Sequence, residues 1–218
     1  MRHDQTQFAP VRGNSQSGVT PWSLGNESAL GSVLMPKPYT PLAVANTFIS
    51  LFGADRGIEH MKLQKLVYCA HGWWLVSYDD ATPHLLDERP QVWKHGPVFD
   101  SMYRILKVFG SSPIREPQSL NPFFDTPSVD EGDDNVRHLV HWIWSRYGHL
   151  SSFALSDLTH RPGTPWSRVA SEHNYRVPFN MAIPDDYIRE EFRTIMQRER
   201  VPSTAVTEGK DEFGRATA

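Results

Sequence analysis

Ten histidines in a chain of 218 residues make metal binding and acid–base catalysis the first chemistry to test. His138 and His141 stand at i, i+3 on one helical face, with His149 and His160 further along. A zinc site needs three or four converging ligands. Helical spacing supplies only this pair, and Tyr, Trp and Arg surround it more than acids do. These read as ordinary surface or half-buried histidines, so no metal and no cofactor is expected. Asp157 and His160 could form an acid–base pair, but a single short spacing is a weak basis for catalysis. The chain has no Gly-x-Ser-x-Gly elbow, no Gly-rich phosphate loop and no dinucleotide fingerprint, and its glycines read as helix stops. Cys69, the single cysteine, rules out an internal disulfide and a thiolate zinc cage and reads as a small buried hydrophobe. The remaining enzymatic alternative is a hydrolase using His71, His95 or His160, which would need them to converge with an acid in an open pocket. The expectation is a protein without enzymatic activity.

A different pattern carries more information. From Met61 to Leu75, Leu63, Leu66, Val67, Ala70 and Trp74 form one apolar helical face, and Cys69, Trp73 and Val76 form another. Gln64, Tyr68 and His71 then stand at i, i+4 and i+7 as a polar stripe on a mostly buried rod. Buried polar groups need partners, and the later segment Trp93-Lys-His-Gly-Pro97 is expected to supply them.

The elements around this helix follow from capping and periodicity. Thr40 as N-cap with Pro41 at N1 starts a first helix with Leu42, Ala45, Phe48, Ile49 and Phe52 on its apolar face; Gly53 ends it. The polar-striped helix runs from about Glu59 to Tyr78. His84–Leu86 and Gln91–Lys94 read as a short hairpin. Gly96-Pro97 turns into a third helix packed through Met102, Tyr103, Leu106 and Phe109 and stopped by Gly110. A fourth packs Val136, Leu139, Val140, Ile143, Trp144 and Tyr147 and ends at Gly148. Ser152 caps a fifth packed through Phe153, Leu155 and Leu158, and Thr164-Pro165 starts a sixth carrying Val169 and Ala170. Asp185 and Asp186 sit in the first turn of a last helix, where acids suit the dipole; its packing set is Tyr187, Ile188, Phe192, Ile195 and Met196.

Between Ser111 and Asp134, four prolines exclude a helix, and the acidic stretch Asp125–Asp134 reads as a solvated loop or a dock for a basic partner. Residues 1–37 and 201–218 are polar and without period, which predicts disorder flanking a domain over 38–200. Met35, just before the patterned sequence, is an alternative first residue. The sum is a mainly α fold: one helical domain of six or seven helices with a small β element.

A hydrophobic content of 39% supports a real core, and a formal net charge of −3 provides no global attraction to nucleic acid or an anionic membrane. Lys62, Lys65 and Lys94 are basic, but no helix carries a basic face, which argues against direct nucleic-acid binding. With no apolar run long enough to span a bilayer and no signal-like N-terminus, a cytoplasmic protein is expected.

Leu63-Gln-Lys-Leu-Val-Tyr68, Ala70-His-Gly-Trp73 and Trp93-Lys-His-Gly-Pro-Val98 with Tyr103 resemble the Panacea domain family, which includes SocA-like antitoxins and phage-associated proteins. Leu155-Ser-Asp-Leu-Thr-His160 with Pro165-Trp166 resembles its second signature. The resemblance implies a helical domain, no enzymatic activity and, as partner, a cognate toxin encoded nearby; some such antitoxins also deliver the toxin to a protease. The alternative it leaves is a phage or mobile-element accessory protein that binds a host factor. The matching positions are Gln64, Lys65, Tyr68, His71, Trp93, Gly96, Pro97, Tyr103, His160 and Trp166, which either form an internal network or contact the partner.

Overall fold

Helix α2, His60–Ser77, is the axis of the fold, with α1 (Pro41–Phe52), α3 (Asp100–Leu106), α4 (Asp134–Tyr147), α5 (Ser152–His160) and α7 (Asp185–Arg200) packed around it. The remaining elements are α6 (Pro165–Glu172), strands β1 (Gln91–Trp93) and β2 (Gly96–Val98), and a 3₁₀ turn over Lys107–Phe109. This computed structural model describes residues 38–78, 82–121, 123 and 125–200. The expectations for residues 1–37 and 201–218, including a start at Met35, lie outside them. The fold is mainly α, with a two-stranded antiparallel sheet as its small β element.

Local chemistry sets most of the helix boundaries. Thr40 accepts from the Ala43 N–H at 3.1 Å with Pro41 at the first helical position, and Thr164 accepts from the Ser167 N–H at 3.3 Å ahead of Pro165. Each hydroxyl satisfies a helix-start donor that lacks an intrahelical partner. Asp133 does the same for α4. The cap of α5 is Ser151, which accepts from the Ala154 N–H, and not Ser152: Ser152 is the first helical residue and its hydroxyl donates to Glu59. Phe153, expected to pack, is 76% exposed; the one-residue shift leaves Leu155 as the helix's buried anchor.

Fourteen of the eighteen residues of α2 are buried. Gly72 is not a helix stop but a contact: a Cβ there would collide with the Phe192 ring, so its absence lets α7 lie directly on α2.

The hairpin also differs from expectation. Strand β1 pairs with Gly96–Val98 across the turn Lys94–His95, in register Gln91↔Val98, Val92↔Pro97 and Trp93↔Gly96. Leu86 instead makes a parallel bridge to Tyr39. Gly-Pro reads as a strand breaker, yet here it is tolerated. The Val92 N–H is turned away to the Met181 carbonyl at 2.8 Å, so Pro97 faces a position where no ladder donor is needed. Gly96 takes φ +95°, a left-handed conformation open to glycine.

The loop from Ser111 to Asp134 is anchored rather than free. Asn46, fully buried on α1, donates to the carbonyls of Gln118 and Pro127 and accepts from the Gln118 N–H. Thr47 accepts from the Val129 N–H, and Tyr39 donates to Asp133 at 2.9 Å.

Candidate functional site

The polar stripe of α2 finds its partners in two different places. Gln64, 2% exposed, reads both backbone groups of Phe99: its Oε1 accepts from the Phe99 N–H at 2.8 Å and its Nε2 donates to the Phe99 carbonyl at 3.3 Å. The second amide hydrogen faces His60 Nε2 at 3.3 Å. Burial, helped by the charge of Lys65, pushes His60 down to about 4, so its neutral ring can accept. Lys65 is fully buried and donates to the Pro97 carbonyl at 2.9 Å. Burial pushes its amine down to about 7, because a charged amine away from water is costly unless well paired.

Tyr68 and His71 turn the other way, toward α7. Tyr68 donates to Glu191 at a long 3.5 Å, and His71 Nε2 lies 3.2 Å from Asp185 Oδ1. Asp185 also receives Arg89 at 3.2 Å and faces His84 at 3.3 Å. Burial alone would raise the Asp185 carboxyl; the hydrogen bond from His71 and the neighbouring positive groups outweigh it and hold the carboxyl below its ordinary value. Glu191 has only Tyr68 against its burial, which pushes it up to about 7. The segment Trp93–Pro97 therefore serves none of the three stripe residues: its Pro97 carbonyl takes Lys65, Gln64 is met by Phe99 just beyond it, and Asp185 is a buried partner of the stripe as well as a first-turn acid.

The remaining motif positions converge on the hairpin turn. Trp166 Nε1 donates to the Trp93 carbonyl at 2.8 Å, His160 Nε2 lies 3.2 Å from the Lys94 carbonyl, and Ser156 donates to the His95 carbonyl at 3.2 Å. The His160 and Trp166 rings are 4.3 Å apart, and Tyr103 packs against Trp93 at 4.7 Å. A Cβ on Gly96 would stand 2.8 Å from Lys65 Nζ and from Thr159 Oγ1, and 2.9 Å from His160 Cε1. The two sequence signatures are thus two sides of one clamp: α2 holds the strand that leaves the turn, while α5 and α6 hold the turn itself.

Little of this resembles a reaction centre. His71 is 1% exposed and touches Asp185 and His84, whereas the contacts of His160 are Ser156, the Lys94 carbonyl and Trp166, with no carboxylate among them. The hydrolase alternative needs histidine and acid together in one open pocket; the candidate histidine that has a carboxylate partner, His71, is buried, and His160, beside the Lys94–His95 turn, is bonded to a carbonyl instead. Among the described residues no group of three or more His, Cys, Asp or Glu is placed to hold a metal; His141 packs edge-on against Phe52. Burial pushes the Cys69 thiol up to about 12, away from the reactive thiolate. Of the lysines that could meet phosphate, Lys65 is internal and Lys62 donates to the Gly148 carbonyl at the end of α4 at 2.6 Å. No described helix is long and apolar enough to cross a membrane.

Nothing in residue type marks Asn46, Thr47, Asp185 or Glu191 as a partner. Each looks like an ordinary helix residue, and only the packing of α1 and α7 against distant segments buries it.

Fold and clamp together define a helical scaffold whose most distinctive polar side chains hold its own hairpin. The family model for the antitoxin SocA-like Panacea domain matches residues 63–167, which include both signatures. A relative, Antitoxin SocA of Caulobacter vibrioides (strain NA1000 / CB15N), is 28% identical over 162 residues, covering 72% of this chain and 85% of that protein. No solved structure gives a significant match.

Proposed function

We propose that this chain is a cytoplasmic antitoxin that neutralises a cognate toxin, encoded nearby, by direct and stoichiometric contact and without enzymatic activity. The observation that carries the reading is the similarity to Antitoxin SocA, which extends over 85% of that protein. The geometry is compatible with it: Gln64, Lys65, Tyr68, His71, His160 and Trp166 are engaged in bonds within the fold. Gln64, Lys65, His160 and Trp166, with Trp93, Gly96, Pro97 and Tyr103, act as the internal network that sets the hairpin, and Tyr68 and His71 seat α7 on α2, leaving partner contact to the outer surface. An interface of ordinary size, about 1,600 Å² in total, would suffice.

The test is to express each neighbouring reading frame with and without this protein while following growth. A frame that arrests growth alone, is harmless together with this chain and co-purifies with it is the expected result. If no neighbour is toxic, or rescue occurs without a complex, the reading fails.

A further inference from the structure

A cleft of about 530 Å³ opens between the turn joining α5 to α6, the end of α4 and the outer face of α7. Its inner end reaches the Tyr68–Glu191 contact, and Leu158 and Ile195, both partly buried, give it an apolar flank. The charged groups that line it are Arg146, Arg161, Arg168 and Arg198 against Glu190 and Glu191. Arg146 pairs with Glu199, and Arg168 lies over the Tyr187 ring and pairs with Glu190 and Glu172. Arg161 and Arg198 are exposed, and among the described residues no carboxylate lies within ion-pair distance of either. Because Glu191 is held partly protonated near neutral pH, the cleft carries more positive charge than its residue list suggests.

We infer that this cleft docks an acidic peptide segment of the partner protein, with Arg161 and Arg198 pairing its carboxylates and the Leu158–Ile195 flank covering its side chains. Arginine is suited to this because its planar fork meets a carboxylate with two donors. The four guanidinium groups stand on separate elements. That arrangement suits carboxylates spaced along an extended chain better than one compact anion. The volume is in the range that accommodates a few side chains. The inference deepens the antitoxin reading and rests on it for the nature of the partner.

The direct test is fluorescence anisotropy of the full chain with a labelled hexaglutamate peptide, and with hexaglutamine as the uncharged comparison. The expected result is salt-sensitive binding of hexaglutamate alone, weakened about tenfold or more by Arg161→Glu with Arg198→Glu. Arg56→Glu with Arg115→Glu makes the same change in net charge on exposed residues outside the cleft and should leave binding unchanged. No binding, equal loss in both pairs, or displacement by equimolar inorganic phosphate would overturn the inference. In cells, the cleft variant should accumulate normally yet lose rescue from the toxic neighbour. Retained rescue would overturn the cleft while leaving the antitoxin standing. Failure of the unmodified chain to rescue would overturn the antitoxin, with the peptide measurement still deciding the cleft.

Discussion

Replacing Gln64 with leucine isolates the bond between α2 and the segment leaving the hairpin. The glutamine amide is the partner of both the N–H and the carbonyl of Phe99, a residue with no exposed surface. Leucine fills most of the same volume but meets neither group. The Phe99 carbonyl keeps the Tyr103 N–H at 2.9 Å, so only the Phe99 N–H is stripped of its partner, at about 1–3 kcal/mol, and loss of the longer bond to the carbonyl adds about 0.5–1.5 kcal/mol. Greater apolar burial by leucine returns about 1–2 kcal/mol. The expected net loss is about 1.5 kcal/mol. For a chain of this size that corresponds to a fall in Tm of about 3–6 °C. Urea unfolding followed by tryptophan fluorescence should show a lower midpoint with an unchanged slope, the sign of a less stable native state of the same compactness. A Tm within 2 °C of the unmodified protein, a threshold set at roughly the effect of less than 1 kcal/mol, would refute the argument that Gln64 bridges the two segments.

Gly96→Ala should be more damaging than Gly163→Ala, although both glycines have positive φ, +95° and +89°. At Gly163 nothing lies within 4 Å of a new Cβ, so only the backbone penalty of about 1–2 kcal/mol applies. At Gly96 the added atom meets Lys65, Thr159 and His160, and a loss of at least about 3 kcal/mol is expected by denaturation; equal losses would discount the close packing of the turn. Asp185→Asn should cost about 2–3 kcal/mol at neutral pH by removing the charge shared by His71 and Arg89. The folded-state pKa of Asp185 lies below its ordinary 3.8. Its contribution is therefore present above that value and lost as pH falls through the folded value. The stability gap between the two proteins should close on acidification, and a gap independent of pH would show that the charge is not what Asp185 supplies.

Much of the architecture is local and could be read directly from the chain. Thr40-Pro41 and Thr164-Pro165 specify helix starts through a hydroxyl acceptor and a proline that lacks the orphan donor, and the two apolar faces of α2 mark it as the buried axis. That Gln64, Tyr68 and His71 must have partners was equally determined, because an unpaired polar group inside a protein is costly wherever the fold puts it. Which partners they have was not. Gln64 is served from Phe99, but Tyr68 and His71 are served from Glu191 and Asp185, more than a hundred residues away. Asp185 carried an adequate local explanation as a first-turn acid, so nothing in its neighbourhood announced a buried ion pair. Gly72 likewise looks like a weakness in a helix until Phe192 occupies the space beside it. Pro97 looks like a strand breaker until the Val92 N–H turns to Met181. Capping and periodicity depend on neighbours within a turn of helix and so are written in the sequence. The choice of a partner for a buried group depends on which distant surface arrives beside it, and only the packing of α7 and the hairpin onto α2 decides that.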